Sequence, residues 1–135
     1  MNTLVPYIWI AGVIHFLIVG MNLPLPGILH YKENLSKVSP IIRQIFIVHS
    51  IYIVLVVFGF GLLCFIFSEE LAGKSQIGQF LSGCLALFWL PRLFIQLFYY
   101  DKGLIKKYFV VHTGFTLAIV YLIGVFLLAV LGAGN

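Results

Sequence analysis

Four apolar stretches, each long enough for the roughly 20 residues a helix needs to cross hydrocarbon, divide this chain and leave only short polar connections between them. They run from about Val5 to Leu23, Ile41 to Phe67, Gln76 to Tyr100 and Lys106 to Leu131. A water-surrounded core cannot absorb that much apolar surface. The chain has 135 residues, 62% hydrophobic and 9% charged, against about 45–50% and about 25% in soluble domains. A globule of that composition would be left with large apolar patches. Lipid must cover the remainder. The expected fold is therefore all-α, a single domain over residues 1–135 forming an integral membrane four-helix bundle with up-down-up-down topology.

The punctuation agrees with these spans. Pro6 suits the first turn of the first helix, which ends at the breaker-rich run Asn22 to Gly27 (NLPLPG). Ser39-Pro40 offers a cap and a first-turn proline to the second, and Gly132 and Gly134 follow the fourth. No Lys or Arg precedes the first apolar run and no small-residue cleavage site follows it, so it reads as a span and not as a signal peptide. Cys64 and Cys84 form no CxxC motif and read as buried apolar fillers without a disulfide.

Connection charges predict the orientation. The first connection and its flanks carry Lys32, Lys37 and Arg43 against Glu33; the third carries Lys102, Lys106 and Lys107 against Asp101. The second holds only Glu69, Glu70 and Lys74, and neither terminus bears a charged side chain. Excess Lys and Arg stay cytoplasmic, so the 23–40 and 101–107 connections are expected in the cytoplasm and both termini on the other side, with a bacterial inner membrane as the setting. The first connection is the only one that reads as long enough for structure of its own. Its segment Ile28 to Leu35 mixes apolar and charged residues and suits the membrane surface, with His30 and Tyr31 among the headgroups. The net charge of +4 is scattered singly along these connections. No basic stripe forms, so nucleic acid is not an expected partner.

The chemistry-bearing residues lie within the spans, where ionisable groups are costly and usually face a bundle interior or a cavity. His15, His49 and His112 sit in the first, second and fourth helices, and the third contributes Arg92 with Trp89 and Gln96. With a rise of about 1.5 Å per residue, each lies about 8–13 Å from the cytoplasmic end of its helix, so one shared polar layer is expected. The predicted inward faces are Ala11, Gly12, His15 and Asn22; His49 and Tyr52; Ser82, Trp89, Arg92, Gln96 and Tyr99; and Tyr108, His112 and Thr116, all at helical spacing. Pro91 removes the amide that would bond the Leu87 carbonyl, so a kink is expected beside Arg92.

Such a layer has a purely structural use, since buried histidines bonded to carbonyls and hydroxyls fix helix register without reacting. Its sharpest functional use is a b-type haem held by His49 and His112, with His15, Arg92, Trp89 and Gln96 lining the site and Arg92 pairing a propionate. That geometry is a fold-level analogy to membrane b-type cytochromes. A lesser alternative is a zinc or copper site on His15, His49 and His112. Another is a quinone, lipid headgroup or anionic ligand at Arg92, His112 and Tyr99. Neither paired carboxylates, a Ser-His-Asp set nor a phosphate-binding glycine loop is present, so enzymatic activity is not expected. The preferred reading is an accessory or interaction subunit of a larger energy-transducing membrane complex, partnered by lipid and by other membrane subunits; the redox subunit is the alternative.

Overall fold

A computed structural model describes residues 3–23, 27, 30–100 and 102–132, and among these the ordered elements are all helical. Four helices are long and apolar enough to cross a membrane: α1 (Val5–Asn22), α3 (Pro40–Ile66), α5 (Gln76–Phe94, extended by a π-helical turn Ile95–Tyr99) and α7 (Phe109–Val130). Shorter helices α2 (Tyr31–Leu35), α4 (Ser68–Ala72) and α6 (Lys102–Lys107) lie in the connections. The expected surface segment is described from His30 onward; Ile28 and Leu29 lie outside the described residues, as do Pro24 to Pro26, Asp101 and Gly134.

The bundle is assembled from two tightly packed helix pairs, α1 with α3 and α5 with α7, joined where α1 meets α7 and through the short helix α4. Small residues set the first pair. A Cβ on Gly12 would lie 2.8 Å from the Phe65 ring and 3.1 Å from Cys64 Cβ, and one on Gly61 would lie 2.8 Å from the Phe16 ring. The two rings stack on each other at 5.6 Å because neither glycine occupies their space. The second pair is tied at its far end by Gln79, whose Nε2 donates to the Val130 carbonyl over 3.2 Å. Tyr121 Oη donates to the Tyr7 carbonyl over 3.0 Å and links α7 to α1.

The second connection, not expected to be long enough for structure of its own, folds into α4. Its Ser68, Leu71 and Ala72 are buried, and it touches all four long helices. The Ser82 hydroxyl donates to the Leu71 carbonyl over 3.0 Å. Ser75 caps α5, its oxygen accepting from the Gly78 amide at 3.1 Å, and its hydroxyl also bonds the Glu70 carboxylate. The short helix α4 closes one end of the bundle, with Glu69 and Glu70 on its exposed side. At the other end the fourth span is shorter than its apolar run. Tyr108 breaks the helix at φ −111°, ψ 40°, which separates the Lys-bearing turn α6 from α7. Both cysteines are free, but Cys84 is exposed where a buried filler is expected.

Candidate functional site

The four long helices meet around one imidazole. His15 is fully buried on α1, and rings from the other three surround it: Phe60 of α3 at 6.0 Å, Trp89 of α5 at 5.5 Å and Phe126 of α7 at 6.1 Å. Its Nδ1 lies 2.7 Å from the Ala11 carbonyl, which can only accept, so Nδ1 carries the proton. The indole Nε1–H of Trp89, which can only donate, points at His15 Nε2 over 3.1 Å. Both nitrogens are therefore used by the protein, and the ring is neutral.

The expected single layer divides in two. Gln96 lies seven residues beyond Trp89 on α5, about 10 Å nearer the α6 end, and is 3% exposed. Its Nε2 lies 3.1 Å from His112 Nδ1 and donates to the His112 carbonyl over 3.3 Å. Thr116 donates to the same carbonyl over 2.8 Å. Gln96 Oε1 is buried and has no hydrogen-bond partner. Gln96 thus keeps the inward face expected two turns after Trp89, and the π-helical turn, with one extra residue, rotates the helix beyond it. Tyr99, expected on the inward stripe, is 80% exposed as a result. At Pro91, where a kink is expected, α5 continues as α-helix to Phe94 before the π-helical turn begins. Proline leaves the ladder one donor short, and the Ile95 amide is shared between the Arg92 and Pro91 carbonyls.

Arg92 is half-buried, and its guanidinium carbon lies 5.6 Å from the centre of the Tyr100 ring. No spacing rule points to this pair, because Tyr100 has left the helix at ψ 143°.

His49 is not among the inward groups. It is exposed on α3, with Nδ1 2.9 Å from the Ile45 carbonyl, and Tyr52 is 64% exposed. α3 packs on α1 and α4, while His112 is engaged by α5. The structure thus brings His15 to Trp89 and Gln96 to His112, but does not unite the three imidazoles. Among the described residues, no three His, Cys, Asp or Glu side chains converge on a metal-sized site. Two open depressions lie elsewhere, one by Gly27, His30, Lys32 and Glu33 and one where the start of α1 meets the second half of α7. Comparison with family models, with curated proteins and with solved structures finds no match.

Proposed function

We propose that the protein is a non-enzymatic accessory subunit of a larger, energy-transducing membrane assembly, attached to its partner subunits through the outer face of α3. In this reading the spans run up-down-up-down, the 23–40 and 101–107 connections are cytoplasmic, and both termini lie on the opposite side of a bacterial inner membrane. The Lys and Arg distribution supports that orientation.

One observation carries the proposal. α3 buries only Val57, Gly61 and Cys64, so from Pro40 to Val56 no residue is fully buried. Within that length His49 and Tyr52 turn polar atoms outward at the depth of hydrocarbon. An unpaired polar group there costs about 1–3 kcal/mol. A neighbouring membrane helix that presents hydrogen-bonding groups removes the cost and covers the Ile, Val and Phe side chains on either side. The test is gentle extraction from native membranes with a photo-crosslinking residue in place of Tyr52. The expected result is a heavier assembly and a Tyr52-dependent adduct to another membrane protein. A monodisperse monomer with no co-purifying partner and no adduct would sink the proposal.

The redox alternative retains one supporting observation. A histidine whose Nδ1 is held by a backbone carbonyl leaves Nε2 directed outward, the arrangement typical of a metal-ligating imidazole. With His49 on the outer face, such a b-type haem would lie between α3 and a partner, and His15 would take no part. A visible spectrum of the intact assembly, before and after reduction, separates this reading from the first. A haem band that disappears in His49→Leu would favour it.

A further inference from the structure

We infer that the membrane surface where α5 ends and α7 begins holds one anionic phospholipid by its headgroup, with the Arg92 guanidinium on the phosphate. This rests on the chain spanning a bilayer and is independent of the α3 interface.

Arg92 belongs to the span Gln76–Tyr99, seven residues from its end, or about 10 Å. That span contains no Asp or Glu, and neither does α7, the helix packed against it. Among the described residues the guanidinium meets the Tyr100 ring, which attracts a cation but supplies no counter-charge. Tyr100 lies just past the last helical turn, so the contact draws the long Arg92 side chain up from its backbone toward the membrane surface. The cation is thereby held at headgroup depth by a fixed ring.

The surroundings have the same sign. Lys102, Lys106 and Lys107 are exposed on α6 immediately beyond, and the Lys107 Nζ lies 5.4 Å from the Tyr108 ring centre. From Gln76 to the end of the chain the sequence holds four basic residues (Arg92, Lys102, Lys106, Lys107) and one acid (Asp101), a balance of +3. At the same end of the helix Phe98 and Tyr99 are 77% and 80% exposed, which provides aromatic surface for the glycerol and upper acyl region. A guanidinium fork matches a phosphate in two hydrogen bonds. Basic pockets between membrane helices at this level recruit anionic lipids. A lipid phosphate already lies at this depth, whereas a nucleic acid or a soluble phosphoprotein would have to enter the headgroup layer to reach the same guanidinium.

The experiment uses the full chain in detergent, with retained lipid counted by native mass spectrometry after exchange into dioleoylphosphatidylglycerol or dioleoylphosphatidylcholine. The expected result is one phosphatidylglycerol retained where phosphatidylcholine is lost. Retention should fall about tenfold in Arg92→Gln, the loss of one charge-assisted phosphate contact. It should fall less in Arg92→Lys, and by an intermediate factor in Tyr100→Leu, which keeps the charge but frees it. Should Arg92→Gln not fold, Tyr100→Leu and the pair Lys106→Gln with Lys107→Gln carry the test. Equal retention of both lipids, or unchanged phosphatidylglycerol retention in folded Arg92→Gln, overturns the site. Displacement of the lipid by millimolar inorganic phosphate overturns the lipid as the source, whereas persistence in phosphate supports it.

Discussion

At His15 the two ring nitrogens are engaged in opposite senses, one donating to the Ala11 carbonyl and the other accepting from the Trp89 indole, in a position that water does not reach. Removing one partner strands the other, whereas removing both leaves apolar surfaces in contact. Trp89→Phe and His15→Leu are each expected to destabilise the protein by about 2–3 kcal/mol. The double variant should cost clearly less than their sum. Unfolding by sodium dodecyl sulfate in mixed micelles measures all three, and strict additivity would count against the pair. Gln96 makes a useful contrast. Its amide nitrogen is bonded to His112 while its oxygen has no partner, so Gln96→Leu loses two contacts and also removes a buried unsatisfied acceptor. The His112 carbonyl keeps Thr116 as a donor. The expected cost is about 1 kcal/mol or less, below that of Trp89→Phe in the same titration.

Among the elements, the glycines separate a tight joint from open surface. A Cβ at Gly78 would collide with the Glu70 backbone carbonyl, which cannot rotate away as a ring edge can, while one at Gly124 meets nothing within 4 Å. Gly78→Ala should therefore push α4 off the end of α5 and cost about 1–3 kcal/mol. Gly124→Ala, a helix interior with room, should be neutral or stabilising by up to about 1 kcal/mol. Equal effects of the two on thermal unfolding would mean that α4 is not a packed element. The sequence made the spans legible to within a few residues, because bridging hydrocarbon demands one strong signal, length of apolar chain; the first span, expected over 5–23, is Val5–Asn22. It did not reveal α4, because nothing in so short a connection marks Leu71 and Ala72 as packed under the bundle. Nor did it tell His49 from His15. Both are single imidazoles in apolar helices, and helical periodicity cannot choose an inner face where every side is Ile, Val or Phe. Neighbouring helices make that choice. The stripe on α5 was legible as far as Gln96, beyond which the π-helical turn shifted the register and carried Tyr99 outward.

Across the whole molecule, polar groups fall into two populations that respond differently to substitution. His15, Trp89, Gln96 and Ser82 are buried and bonded within the chain, so they hold the isolated protein together. His49 and Tyr52 face away from every other long helix to which α3 is packed, so they contribute little to it. Surface substitutions away from packed features usually change stability by no more than about 0.5 kcal/mol. His49→Leu combined with Tyr52→Phe is accordingly expected to leave the unfolding midpoint of the purified chain unchanged or slightly raised. In native membranes the same double variant should migrate as a smaller species, because a partner helix facing it loses its hydrogen-bonding counterparts and is left with unsatisfied groups of its own. Blue native electrophoresis of membranes carrying wild-type or variant protein at equal abundance reads the difference. A mobility unchanged by the two substitutions would return α3 to the lipid and remove the subunit reading with it.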